Sequence, residues 1–568
     1  MPPTATPSPI LKEHIMRALL LATCLLPACL LAQGAIQPQS IAANAQLANG
    51  ASHRPAITPD SRWIAFSSTA TNLVANDTNG VADVFLRNRA TGTIERISVD
   101  SAGTPANGDS WAIGISNDGR FVLFLSLANN LVPGDTNGVM DGFLRDRQGN
   151  TTRRVTTGAG GLQATAYIDS AAISGDGSTV AFGTASPLVP GDTNGQHDIF
   201  VHTLATGAIE RASVDAAGNQ GNGGAFSPSL SVDGRFVTFH STSSNLVAND
   251  TNAARDIFVR DRQSATIERV STGPGGIQSN ADSRYSHCNA DGQHIAFISF
   301  ASNLVPGDTN ATADVFVHDR TTGVTDRVSV SSTGSQGTTS ITSFLTLPRI
   351  SALGRYVAFY SQLDGLAGPS NATDDAFVHD RMTGRTMKVS RSSTGTGGNA
   401  TSGALAQFGA NWLLETMAIA SDPPIAVFST MASNLVPWDT NASSDVFAVD
   451  IGLRCIASGP AVIGGAATVD LAAESYPNQL FVGTFSATVN TGVFLPGTQW
   501  LPLDPGPLVT ATLSVVVSDA SGNGSWSVPL PALPALVGVS LHATALRLDF
   551  AGPTLFPAIG NVVTFVIQ

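Results

Sequence analysis

The sequence predicts an all-β chain: a seven-bladed β-propeller followed by a smaller β-sandwich domain. Three observations carry this. First, an acidic residue before a small or β-branched residue and Phe recurs seven times, at Asp83, Asp141, Asp198, Asp256, Asp314, Asp375 and Asp445. The intervals are 58, 57, 58, 58, 61 and 70 residues. Such a period marks one supersecondary unit that must stack on its neighbours to bury its apolar face. Second, each repeat holds two short apolar runs with Phe at a fixed place. Third, residues 453–568 break the period yet keep alternating apolar runs with no amphipathic helix pattern between them.

Within a repeat the elements follow in order. A turn such as Asn117-Asp118-Gly119-Arg120 or Val232-Asp233-Gly234-Arg235 comes first. Asp-Gly between apolar runs is a hairpin signal, because Gly accepts positive φ without steric cost. The run after it carries Phe66, Phe124, Phe182, Phe239, Phe297, Phe359 or Phe428, and the next carries Phe85, Phe143, Phe200, Phe258, Phe316, Phe377 or Phe447. β-branched and aromatic residues in such short runs suit strands. A second turn (Thr91-Gly92, Thr322-Gly323) leads to a last strand, Glu95–Val99 or Asp326–Val330. Four strands joined as a meander make one blade, and the paired Phe residues are expected to fill the gaps between blades.

The Asp-Gly turn, two strands and Thr-Gly turn resemble the TolB-like propeller repeat, whose motif runs Ser-Pro-Asp-Gly-Lys, two strands, then Asp-x-x-Thr-Gly. The resemblance covers residues 36–452 and implies a fold. It leaves function open, because such propellers serve as binding platforms and as accessory domains of enzymes. Residues 453–568 resemble a C-terminal β module of large exported bacterial proteins, with Asp519-Ala-Ser-Gly522 before a Pro-flanked strand.

The N-terminus reads as an export signal over residues 1–34. Arg17 precedes an apolar run from Ala18 to Ala32, Ala32-Gln33-Gly34 offers a cleavage site, and Met16 is an alternative start. Leu26-Pro-Ala-Cys29 loosely resembles a lipoprotein box, but Pro27 and the apolar Leu30-Leu31 depart from it. No other stretch is long enough to span a bilayer. Periplasmic, cell-surface or secreted localisation follows. Cys288 and Cys455 remain outside the signal and read as free thiols, with a disulfide between them as the alternative.

Ring closure also leaves a trace. Residues 40–52 match residues 98–110 at an offset of 58, so residues 36–41 occupy the place of a last strand with no blade before it. This segment is expected to complete the seventh blade, and residues 453–456 are the alternative.

Charged residues are 12% of the chain, against a usual share of roughly 25%. The net charge is −13 and only Lys12 and Lys388 are lysines. Nucleic acid and anionic membranes are therefore poor partners. A monomer binding a protein, peptide or glycan is expected.

In an up-and-down blade the long connections share one face, where binding normally lives. One long connection carries Asp, Asn and Asp at fixed spacing: Asp77, Asn79 and Asp83; Asp135, Asn137 and Asp141; Asp192, Asn194 and Asp198; Asp250, Asn252 and Asp256; Asp308, Asn310 and Asp314; Asp439, Asn441 and Asp445. Two readings stand. These oxygens suit a hard cation such as Ca²⁺, or they fold back onto backbone N–H groups as Asx-turns. The match to an EF-hand loop ends after its third ligand. In the sixth repeat Pro369 replaces the first Asp, while Asn371 and Asp375 remain. Arg87, Arg145 and Arg260 share a strand position with His202, His318 and His379, a swap that suggests a solvated face.

No phosphate loop, His-Glu-x-x-His or Gly-x-Ser-x-Gly occurs. The expected function is an exported, non-enzymatic binding or scaffold protein using the long-loop face. The alternative is a propeller hydrolase or lyase acting on an extracellular polymer. An appended α/β-hydrolase domain does not fit, since residues 453–568 are too few and read all-β.

Overall fold

The structure is a computed structural model. It describes residues 36–452 except 43, 338–345, 364, 368–372, 404–406, 409–410, 413–414 and 422, together with the strand backbones beyond 453. The export signal with Cys24 and Cys29, and Pro369 and Asn371, lie outside the described residues.

Seven four-stranded antiparallel sheets form the propeller. Blade 1 runs Ser52–Ile57, Trp63–Ser68, Asp83–Asn88 and Ile94–Arg96, from inner to outer strand. Blades 2 to 6 repeat this order, with inner strands Ser110–Ile115, Ser170–Ile173, Ala225–Leu230, Ser283–Cys288 and Arg349–Ile350. Blade 7 has Ala418–Ile419, Ile425–Thr430 and Asp445–Asp450 in sequence order. Its outer strand is Gln37–Pro38 from the start of the propeller, with Gln37 opposite Ala448 and Pro38 opposite Phe447. The N-terminal segment thus closes the ring, as the offset match indicates.

The paired Phe residues explain the blade stacking. In blade 1, Phe66 and Phe85 face each other across the second and third strands with ring centroids 6.0 Å apart. They pack on Val427, Val446 and Ala448 of blade 7. The alternating side chains of blade 1, Ala65, Val84 and Leu86, point the other way, under Phe124 and Phe143 of blade 2. This is the two-residue period of a strand used on both faces: one face presents Phe and the other presents the surface that receives it. Ala181 under Phe239 and Phe258, and Ala296 under Phe359 and Phe377, repeat the device.

Beyond residue 453 a three-stranded sheet holds Arg454–Ala457, Ala466–Ala472 and Asn523–Pro529. A five-stranded sheet is centred on Leu480–Ala487 and Ser540–Leu548. The all-β character holds there. Side-chain packing between these sheets, including that of Cys455, falls outside the described residues. No helix among the described residues is long and apolar enough to cross a membrane.

One expectation is corrected. The strand face carrying Arg87, Arg145, His318 and His379 is buried, not solvated. The connector leaving the preceding outer strand covers it, and the side chains bond to that connector or to their own outer strand. Arg87 donates to the Ile41 carbonyl at 3.0 Å and Arg145 to the Asp100 carbonyl at 3.2 Å. His202 Nδ1 lies 2.7 Å from the Val155 carbonyl, and His318 Nδ1 lies 2.9 Å from Thr325 Oγ1. Arginine and histidine interchange because either donates a hydrogen bond to a covering group.

Closure rests on a few polar contacts. Ser40 Oγ donates to Asp445 Oδ1 at 2.6 Å, and Val446 N–H donates to Ser40 Oγ at 3.0 Å. Ser40→Ala removes the donor and leaves a buried carboxylate oxygen without it. The expected cost is about 1–3 kcal/mol, measured as a shift of the urea midpoint with unchanged m value. A midpoint equal to that of the unmodified chain would show that closure does not depend on this contact.

Candidate functional site

The inner strands line a central channel with two sections. Toward the Asp-Gly turns it holds about 180 Å³, walled by Ile57, Ile115, Ile173, Leu230, Ile350 and Ile419 together with Ser229, His287 and Arg349. Toward the long connections it widens to a cavity of about 340 Å³ lined by charged and aromatic side chains.

The wide section is built by irregular backbone. The inner strands of blades 1, 4 and 5 carry a β-bulge at the same place, between His53 and Ala56, Phe226 and Ser229, and Arg284 and His287. Each bulge holds a non-glycine residue in the left-handed region: Arg54 at φ 54°, Ser227 at φ 53° and Tyr285 at φ 58°. Such conformations cost on the order of 1–3 kcal/mol each and collect at functional sites. Bulges re-aim side chains, and these three line the cavity.

Charge is unevenly matched there. The backbone N–H of Arg54 donates to Glu415 Oε1 at 2.9 Å, and its Nε donates to the Ala112 carbonyl at 3.2 Å. Asp282 receives Arg255 Nη1 at 2.8 Å and Arg284 Nη2 at 2.6 Å. Burial pushes the Asp282 carboxyl up, but the Arg255 N–H and the two guanidinium groups outweigh it and hold the group at about 2. Arg349 has no hydrogen-bond or ion-pair partner among the described residues. Burial, and then the like charge of Arg54, bring its pKa down to about 10. Asp169 has no basic partner among the described residues. Burial raises its carboxyl to about 7, against the Ser170 hydroxyl donating at 2.8 Å.

Aromatic rings run around the rim across blades 3 to 5. Tyr167 lies 6.2 Å from His197, His197 stacks on Phe226 at 4.8 Å, and Phe226 stacks on His240 at 5.6 Å. His240 meets the edge of Tyr285 at 5.4 Å. Burial, then Arg255 and Arg284, lower His240 to about 3, so it is neutral at physiological pH. The cavity therefore joins an uncompensated guanidinium, a carboxyl that changes charge near neutrality, and ring surfaces for stacking or apolar contact.

The Asp-Thr-Asn loops lie on the same face but outside this cavity. In blades 1 to 5 an arginine from the outer strand sits between their two carboxylates. Arg96 reaches Asp77 at 3.0 Å and Asp83 at 3.6 Å, and Arg154 reaches Asp135 at 3.1 Å and Asp141 at 3.2 Å. Arg211 lies 3.1 Å from Asp192 and 3.5 Å from Asp198. Arg269 lies 3.0 Å from Asp250 and 3.5 Å from Asp256, and Arg327 lies 3.0 Å from Asp308 and 3.3 Å from Asp314. The Asn amide donates to the later Asp, as Asn79 does to Asp83 at 2.8 Å and Asn310 to Asp314 at 3.0 Å. Its carbonyl side accepts from the residue two on in several loops, such as Gln196 N–H to Asn194 Oδ1 at 3.0 Å, which is the Asx-turn geometry. In blade 6 Lys388 pairs with Asp375 at 2.5 Å.

Sequence reading placed the long connections on one face but did not single out Arg54, Asp169, Arg284, Tyr285 and Arg349. The available signal was that these charged or aromatic residues fall where neighbouring repeats differ from one another. The arginine partners of the loops were missed because they lie 13 and 19 residues after their carboxylates (Asp83 and Asp77 to Arg96), across a strand and a turn.

No family model matches the chain, and no curated protein does. Among solved structures it is similar to a putative TolB from Agrobacterium tumefaciens at 17% identity and TM-score 0.31, over 49% of this chain and 80% of that one. It is also similar to an ancestral GH74 enzyme at 11% identity and TM-score 0.31, over 94% of this chain and 84% of that one. A sialidase matches at 9% identity and TM-score 0.23, over 94% of this chain and 47% of that one. The propeller assignment rests on the sheets themselves.

The buried Asp–Arg–Asp clusters make a direct prediction. Arg327→Met keeps the volume and removes the charge, leaving Asp308 and Asp314 uncompensated. Stability should fall by about 3–5 kcal/mol. Burial already raises the Asp308 carboxyl against the opposing charge of Arg327, so without the guanidinium its folded-state pKa rises further. The loss should be largest at pH 8 and shrink toward pH 5 as that carboxyl protonates. Denaturant unfolding at the two pH values measures this, and a pH-independent loss would assign the effect to packing.

Proposed function

We propose that this chain is an exported, non-enzymatic binding protein whose long-connection face takes a protein, peptide or glycan through an anionic group seated in the channel mouth. The observation that carries this is Arg349, a guanidinium facing the cavity beside Arg54 with no carboxylate of its own among the described residues. A buried cation of this kind is stabilised by an arriving carboxylate, which a planar guanidinium binds in a forked geometry. The ring surfaces of Phe226 and Tyr285 supply contact area next to the charge. Export is supported by the apolar run after Arg17.

A second reading, a hydrolase or lyase acting on an extracellular polymer, is favoured by one observation. Asp169 holds its proton close to neutral pH, as a general acid or base requires. Incubation with uronic-acid-containing and neutral polysaccharides, scored for new reducing ends and unsaturated products, separates the two. Turnover abolished by Asp169→Asn would favour the enzyme, and binding without turnover favours the receptor.

The test of binding is a screen of the mature chain against acidic and neutral glycans and peptides, followed by titration of the best ligand. Arg349→Ala should weaken an anionic ligand by about tenfold or more, the worth of a charged hydrogen bond, and leave neutral ligands unchanged. Asp169 opposes an anion only when ionised. Affinity should therefore be full below about pH 7 and fall as the pH rises through the Asp169 pKa of about 7. Asp169→Asn should flatten that profile. An anion affinity that ignores both variants would overturn the assignment.

A further inference from the structure

The residue between the two loop carboxylates is fixed by strand register. Arg96, Arg154, Arg211, Arg269, Arg327 and Lys388 each stand opposite the Phe of the third strand, from Phe85 through Phe377. In blade 7 the residue opposite Phe447 is Pro38, because the closing strand comes from the other end of the propeller. Among the described residues, blade 7 alone keeps both carboxylates without a basic side chain beside them.

The rest of the guanidinium cradle varies from blade to blade. Gln163, Gln220, Gln278 and Gln336 place Oε1 at 3.0, 2.9, 3.0 and 2.7 Å from the arginine of their own blade. The corresponding connector position holds Pro105 in blade 1, Gly397 in blade 6 and Leu47 in blade 7, so blade 7 lacks the glutamine as do two blades that keep a basic side chain. Asp445 is fully buried and both of its oxygens accept hydrogen bonds, Oδ1 from Ser40 at 2.6 Å and Oδ2 from Asn441 at 2.7 Å. Asp439 differs. It is 7% exposed, and its Oδ1 is buried with no hydrogen-bond partner. An unpartnered carboxylate oxygen beside a second buried carboxylate is costly unless a cation joins them.

We propose that Asp439 and Asp445 form a single cation site that takes a hard divalent ion of the Ca²⁺ type in the place that a guanidinium occupies in blades 1 to 5. The chemistry selects a small ion. Oδ1 of Asp439 is buried without a partner, and a compact cation needs less room beside it than an ammonium or guanidinium group on a flexible stem. Hard cations prefer carboxylate oxygens and water. With two carboxylates and the remaining positions filled by water, affinity falls in the weak range of extracellular Ca²⁺ modules, on the order of 0.1–1 mM. Trp438, 49% exposed and adjacent to Asp439, is a natural reporter. This site is separate from the channel, and its failure leaves the channel reading intact.

Calorimetric titration of chelator-treated full chain with Ca²⁺ tests the proposal, with Trp438 fluorescence followed in parallel. One site per chain is expected, with a thermal shift in 10 mM Ca²⁺ that chelator reverses. Asp439→Asn should remove the heat and the shift. Pro38→Arg installs the residue of the sister blades and should abolish Ca²⁺ binding while the chain stays folded and melts no lower. Asp308→Asn, in an arginine-filled loop, should leave Ca²⁺ binding unchanged. No heat at 10 mM, several sites per chain, or binding that survives Pro38→Arg would each overturn it.

Discussion

The structure depends on a carboxylate buried at the start of the third strand of every blade. Asp83, Asp141, Asp198, Asp256, Asp314 and Asp445 have no exposed surface, and Asp375 is close to it. Removing such a charge from water costs several kcal/mol, and only a full set of donors offsets that. Each Asp gathers its donors from parts of the chain that would otherwise be independent. In blades 1 to 5 the Asn amide comes from the long connection, the Ser or Thr hydroxyl from the connector to the next blade, and the guanidinium from the outer strand, while blade 6 uses Lys388 in its place. Ser98, Thr156, Ser213, Ser271, Ser329 and Ser390 fill the hydroxyl role within their own repeats. In blade 7 the hydroxyl is Ser40, 405 residues earlier in the chain. The same contact that shapes a blade locally therefore also closes the ring.

Much of the fold was legible because its determinants are local and repeated. A Phe two strands deep, an Asp-Gly turn and a Thr-Gly turn each declare a strand boundary from a few neighbouring residues. Which face carries the long connections followed from strand parity alone. Legibility ended where the partner was distant or the environment counted. Arg96 reads as an ordinary outward strand residue, yet its side chain is buried against Asp77 and Asp83. The interchange of Arg145 with His318 suggested water, and the structure shows a covering connector. Composition carries the hydrogen-bonding capacity of a side chain but not the position of the segment above it.

The channel mouth was hidden for a different reason. Repeats announce what they share, and the inner strands share least. Arg54, Ser227 and Tyr285 occupy the same bulge in three blades, yet they are a cation, a small hydroxyl and an aromatic. Their backbone is common and strained, while their side chains are individual. That combination is the reverse of the Phe positions, where side chain and backbone agree seven times over. A scaffold stabilised elsewhere holds the strain, and the side chains on it are released from the packing rules that fix the outer strands.

Two breaks in symmetry thus arise by two routes. The channel differs from blade to blade because residues on equivalent inner strands differ. Blade 7 differs because of where its outer strand comes from. A strand taken from the N-terminal segment must satisfy the Asp445 carboxylate through Ser40 and pair with the third strand, and it meets both needs with little more than Gln37-Pro38-Gln39-Ser40. Pro at position 38 costs no blade hydrogen bond if its missing N–H faces away from the sheet, as edge strands allow. It does remove the guanidinium. The closing strand supplies pairing and one hydroxyl, and among the described residues blade 7 has no basic side chain to balance its two carboxylates as the arginines do in blades 1 to 5. If the cation proposal holds, the closure blade is where the ring's stability couples to its ionic surroundings.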